Sequence, residues 1–211
     1  MIKKKVQILH VHGGMTFRNR DGYLDYLKNR TVYLDDKISW SGDYLNRELG
    51  EDFQIIKPRM PLQDNAIYDD WKIYFERYLE VLDDGVILVG NSLGGIFLAK
   101  YLSENMVSKK ITSVYLVCPP FDNSLEGEDL VGGFELGDDL SLIGKNCRNV
   151  VLMFSKDDDC VPVSHAEKYR EKLDDAKIII YESKNGHFQI EEFPEIIDMI
   201  RRDLGDEAAR I

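Results

Sequence analysis

Six consecutive residues carry the clearest chemical signal in the chain. They are Gly90-Asn91-Ser92-Leu93-Gly94-Gly95, a serine set between glycines at G-x-S-x-G spacing. An apolar run, Val86–Val89, leads into the turn, and an amphipathic helical pattern leaves it. A serine on so sharp a strand-to-helix turn projects its hydroxyl past the end of the strand, where a nucleophile must stand. The flanking glycines give the crowded backbone room to cross. The helix N-terminus behind the serine favours negative charge developing there. The plain alternative is a βα loop with a serine N-cap; the strand–turn–helix context favours the nucleophile.

A serine hydroxyl needs a base, and the base needs a third group to orient it. Of the four histidines, His10 falls inside an apolar run, His12 belongs to a His-Gly turn and His165 opens a helical segment. His187 stands in the turn Asn185-Gly186-His187-Phe188, after the last apolar run, and from there it can reach across a sheet edge towards Ser92. The acid is sought in Ser155-Lys156-Asp157-Asp158-Asp159, where any of three aspartates could receive the histidine Nδ1–H. A solvated acidic loop is the ordinary reading of each taken alone. Serine, then acid, then histidine is a chain order that acyl-transfer enzymes use. The first apolar run ends in His12-Gly13-Gly14-Met15. There a flexible backbone N–H can join that of Leu93 in holding an oxyanion; Gly14 is the first choice and Met15 the alternative. His10 and His12 share one strand face but lack a third ligand cluster, and the acidic loop lacks calcium-type spacing. Neither metal nor organic cofactor is expected.

These groups need a scaffold that gathers distant turns at one edge. Six β-rich runs recur: Val6–Val11, Phe53–Ile56, Val86–Val89, Val114–Val117, Val150–Phe154 and Ile178–Tyr181. Each is continuous rather than alternating, the mark of strands buried on both faces of a parallel sheet. Helical patterns lie between them: Ser41–Leu49 closed by Gly50, Ala66–Leu82 with Asn65 as N-cap, Leu93–Asn105, Val163–Leu173, and a last one from Pro194 to Leu204. Alternating strands and helices predict a doubly wound α/β sheet. Two long connections, about 15–50 and 121–146, break the rhythm, and such connections are often lids or binding loops.

The chain has 211 residues, suiting one domain over 1–211, and a formal net charge of −11, which disfavours nucleic acid as a partner. The basic run Lys3-Lys4-Lys5 reads as solvated strand-edge lysines. Cys118, Cys147 and Cys160 are odd in number, match no zinc spacing and read as free thiols. With no signal-peptide pattern and no bilayer-length apolar window, cytoplasmic residence is the default expectation. Oligomeric state is not readable.

With these pieces located, the chain resembles the α/β-hydrolase superfamily along most of its length. Within it, the likeness is to the small retinoblastoma-binding-type, YdeN-like serine hydrolases. The resemblance rests on the Val6–Gly14 opening, Met60-Pro61, Trp71 and Leu88–Gly95. It continues with Cys118-Pro119-Pro120-Phe121, Asp158–Pro162 and Gly186-His187-Phe188. It implies a three-layer sandwich: a central, mostly parallel six-stranded sheet with helices on both faces. In the family pattern the acid stands three residues before a Val-Pro pair, which selects Asp158 and implies a triad of Ser92, Asp158 and His187. Substitution of Asp158 should then be crippling, and of Asp157 or Asp159 mild. The implied activity is carboxylesterase-like hydrolysis of small esters through an acyl-enzyme; thioesterases and acyltransferases share the machinery. The group's name refers to a protein partner, so a weakly catalytic or non-catalytic interaction module is the reading from another class. There are two departures from the pattern. Asn91 stands where histidine is common, and Phe17–Trp40, within about 15–40, looks like an insertion that emerges beside the oxyanion turn and covers the site.

Overall fold

The computed structural model describes residues 4–35, 38–125 and 127–208. Lys3 of the basic run and residues 36–37 of the expected insertion lie outside them. Among the described residues six strands form one sheet: β1 (Val6–Val11), β2 (Phe53–Ile56), β3 (Val86–Asn91), β4 (Ile111–Val117), β5 (Cys147–Ser155) and β6 (Lys177–Tyr181). Their order is β2-β1-β3-β4-β5-β6, and every pairing is parallel. Among the described residues the α-helices are α1 (Arg20–Asn29), α2 (Leu45–Leu49), α3 (Tyr68–Val81), α4 (Leu93–Glu104), α5 (Leu142–Asn146), α6 (Ser164–Arg170) and α7 (Pro194–Ala208).

The unbroken apolar runs follow from burial on both faces. Successive residues of β3 point to opposite layers. Val86 and Leu88 join Trp71 and Phe75 of α3 and Ile96, Phe97 and Leu102 of α4. Ile87 and Val89 join Leu45 and Leu49 of α2 and Ile196 and Ile200 of α7. The result is the expected three-layer sandwich, with α3 to α6 on one face and α2 and α7 on the other.

The order of the sheet positions the site. Strand succession reverses beside β1, where a doubly wound sheet opens a crevice at its carboxyl edge. The register pairs Val11 with Gly90, Asn91 with Val117, and Val117 with Met153. The chain segments leaving β1, β3, β4 and β5 therefore emerge side by side.

Several elements differ from expectation, among them α5, which closes a connection read as a long loop. Helix α3 begins at Tyr68, not Ala66, and its N-cap is Ile67; Asn65 sits in a 3₁₀ turn, Gln63–Asn65. The backbone of that turn is used in tertiary bonds: Met15 N–H donates to Gln63 O, and Ala66 N–H to Met15 O. A distorted turn, Trp40–Tyr44, replaces the first part of the helix expected over 41–49. The expected insertion Phe17–Trp40, rich in tyrosine and charge, contains α1, capped by Asn19 Oδ1 accepting from Gly22 N–H, and none of the residues of α1 is buried.

Candidate active site

Ser92 follows β3 directly and has φ 52°, ψ −122°, a left-handed conformation that costs a side-chain-bearing residue energy. Its N–H is anchored to Val117 O at 2.8 Å, which ties the turn to the neighbouring strand. Close approach explains two of the glycines. A Cβ on Gly94 would collide with the carbonyl oxygens of Val11 and His12, and one on Gly90 would strike the backbone of Gly94. Helix α4 therefore packs against β1 with no side chain between them, and the serine turn lies beside the turn after β1. A Cβ on Gly13 would crowd Asn91 and Ser92 there, at 3.2 and 3.3 Å. Asn91 Oδ1 accepts from His10 Nε2 at 2.9 Å. His10 is buried and neutral, its pKa lowered to about 3 chiefly by desolvation, with Lys57 adding to the effect.

His12 controls the first turn. Its Nε2 accepts Met60 N–H at 2.8 Å, so the proton is on Nδ1, which donates to Gly13 O at 2.5 Å. Burial holds this imidazole neutral, against the opposing Gly13 bond. Because Gly13 C=O and Gly14 N–H belong to one planar peptide and point opposite ways, fixing the carbonyl fixes the N–H. Trp71 braces the arrangement: its Nε1–H donates to Pro61 O at 2.7 Å and its ring meets His12 edge-on. Both His12 nitrogens are thus engaged with backbone, which removes the His10–His12 metal idea. Leu93 opens α4, so its N–H has no carbonyl one turn earlier to bond. Met15 does not serve as the alternative donor. Its N–H is spent on Gln63 O at 2.9 Å, because the turn after β1 is stitched to the turn before α3.

The acidic loop after β5 separates the three aspartates. Asp158 is buried, while Asp157 and Asp159 are exposed. Asp158 Oδ1 accepts the N–H groups of Cys160 and Val161, at 2.9 and 2.8 Å. Its two oxygens face His187 Nδ1 at 3.0 and 2.8 Å. That contact puts the proton on Nδ1 and leaves Nε2 as the basic nitrogen. Asp157 is not the equivalent of Asp159 that the sequence suggests. It accepts from Ser155 Oγ, Ser183 Oγ, Lys184 N–H and Gly186 N–H, and so ties down the turn that carries His187. Those four donors, the Ser155 hydroxyl first, hold its pKa far below the usual carboxylate range. The turn itself is tight: Phe188 N–H closes on Gly186 O at 2.8 Å around His187.

His187 Nε2 meets a residue that sequence reasoning left among the free thiols. Cys118 Sγ lies 3.7 Å from it, and this sulfur contact, rather than one to Ser92 Oγ, is the one Nε2 makes among the described residues. Cys118 is the first residue after β4, the strand between those that lead to Ser92 and Asp158, and its φ is +42°. The available signal was its place directly after an apolar run. Burial alone would lower the pKa of His187; the Cys118 sulfur and the Asp158 carboxylate outweigh it and hold the imidazole well above the ordinary histidine value. His165 is elsewhere, buried between Phe121 N–H and Ser124 O, where it pins the loop after β4 to α6.

A cavity of about 670 Å³ adjoins the turn after β1. Met15–Phe17, residues of α1 such as Tyr26, and Gly127–Asp129 line it. A second crevice, lined by Arg148, Asp175 and Lys177 among others, opens away from this edge, where β5 and β6 begin.

A family model described as serine hydrolase matches residues 39–201. A search of curated proteins gives no match. Among solved structures, the ydeN gene product of Bacillus subtilis superposes with a TM-score of 0.75 at 21% identity, covering 95% of this chain and 100% of its own. A protein described as a YdeN-like hydrolase from Pectobacterium atrosepticum gives 0.62 at 18% identity, covering 97% and 92%. The meta-cleavage product hydrolase of Pseudomonas fluorescens gives 0.62 at 14%, covering 98% and 93%. At these identities the structures establish the shared α/β-hydrolase fold.

Proposed function

The chain belongs to the serine hydrolase family, and from that premise we propose that it cleaves small esters with Ser92 as nucleophile, His187 as base and Asp158 as the group that orients the base. The observation that carries the reading is the paired carboxylate and imidazole. Asp158 takes Nδ1–H at 2.8 Å, and Nε2 is left basic at the sheet edge from which Ser92 projects. In the reaction Nε2 leaves the Cys118 sulfur and takes the Ser92 proton as Oγ attacks the ester carbonyl. The N–H groups of Leu93 and Gly14 receive the oxyanion, each worth on the order of 3 kcal/mol at the transition state. The imidazolium, stabilised by Asp158, returns its proton to the departing alcohol. Water then repeats the sequence on the acyl-enzyme. No step calls for a cofactor.

Labelling with a fluorophosphonate probe tests the assignment. The native protein should be labelled, Ser92→Ala should not, and His187→Ala should lose labelling while its circular dichroism stays native. Folded native protein that resists the probe would remove the hydrolase reading and leave an interaction module on the same scaffold.

A further inference from the structure

Ser92 and Cys118 are the first residues past two paired strands, since Asn91 and Val117 are register partners, and both have positive φ. The Cys118 N–H is used on Met153 O at 2.7 Å, and the sulfur turns to His187 Nε2. The ligand atoms of Cys118, Asp158 and His187 all lie within 4.8 Å of one another. Zinc bonds of about 2.3 Å to sulfur and 2.0–2.1 Å to nitrogen, opened at the tetrahedral angle, separate the two donor atoms by roughly 3.6 Å. The separation here is 3.7 Å. The ring is also prepared in the way zinc-binding histidines are, with a carboxylate on the far nitrogen fixing tautomer and orientation. Asp158 serves as that outer partner and not as a ligand, because its oxygens are already taken by Nδ1–H and two backbone N–H groups.

We propose that Cys118 Sγ and His187 Nε2 form a binding site for a thiophilic divalent cation, zinc foremost, whose occupancy switches the hydrolase off. On binding, the protons on the Cys118 sulfur and on His187 Nε2 are released to solvent, and the thiolate and the freed Nε2 lone pair are donated to the metal. Ser92 then has no base. A thiolate paired with an imidazole selects zinc over magnesium or calcium, which require oxygen donors. Two protein ligands leave the other positions to water, as suits a reversible inhibitory ion rather than a structural one. The inhibition rests on the proposed role of His187; the binding does not.

The experiment therefore reads both. Zinc binding is measured on metal-free protein by competition with a chromogenic chelator, and ester hydrolysis is titrated with zinc, magnesium and calcium. Native protein should bind one zinc and lose activity in step, with recovery on adding EDTA and no response to magnesium or calcium. Cys118→Ser should weaken zinc binding and inhibition at least tenfold, each judged against that variant's own metal-free activity. Ser92→Ala should bind zinc as the native protein does, so a failed nucleophile assignment leaves the binding result intact. Zinc should also protect Cys118 of the native protein from iodoacetamide, read by peptide mass, which serves if the serine variant does not fold. Absence of binding by native protein, or equal zinc sensitivity with and without the Cys118 sulfur, would overturn the proposal.

Discussion

Asp158 is buried against His187, whereas Asp157, one residue earlier, is exposed and gathers four donors, one from the end of β5 and three from the turn after β6. The two carboxylates act on the same histidine by different means: one orients the ring, the other fixes the turn it stands on. Asp158→Asn reverses the hydrogen-bonding sense at Nδ1 and should cost about 10⁴ in turnover. Asp157→Ala frees the turn from Ser183 to Gly186, and a base displaced by about an ångström loses on the order of 10- to 100-fold. Asp159→Asn should stay within about twofold, since it leaves both arrangements intact. Steady-state hydrolysis of a chromogenic ester ranks the three. If Asp157→Ala proved as mild as Asp159→Asn, anchoring of the turn would have no bearing on catalysis.

At the scale of elements, α4 and β1 meet through Gly94 with backbone against backbone. This contact holds the serine turn beside the His12–Gly14 turn. Gly94→Ala must push α4 from β1 and should destabilise the protein by about 3 kcal/mol, the upper range for overpacking. Activity should fall further than the folded fraction does, because Ser92 and the oxyanion donors move apart. Gly144→Ala in α5 is the control: nothing lies within 4 Å of its added methyl, and a stabilisation of about 0.5 kcal/mol is expected. Urea denaturation measures both changes. Equal stabilities would mean that the helix can slide without cost and that the glycine is there for another reason.

Across the whole molecule, the stretch marked as an insertion divides. Thr16 and Trp40 at its ends are buried, each 3% exposed, and belong to the body of the fold. Trp40 packs on Phe193, and Thr16 bonds Asp129 O. Between them α1 has no fully buried residue, packs Tyr23 and Tyr26 on Phe17, and borders the cavity beside Met15. Replacing residues 20–30 with a short Gly-Ser linker should leave the melting temperature nearly unchanged and alter the dependence of kcat/KM on acyl length. An unaltered profile across an ester series would show that α1 plays no part in substrate choice. The six strands, most helices, the serine turn and the histidine turn were legible because they are short-range properties: runs buried on both faces, helical spacing, glycines at turns. Helix α1 was illegible because its polar, tyrosine-rich stretch carries no buried stripe. The amino-acid sequence by itself determined the layered sheet and which turns carry reactive side chains. Only the tertiary structure decided which aspartate faces the imidazole, that Met15 N–H is consumed by Gln63, and that Cys118 meets Nε2. Those outcomes depend on contacts between residues 29, 48 and 69 positions apart, which strand order and register set and local pattern does not encode.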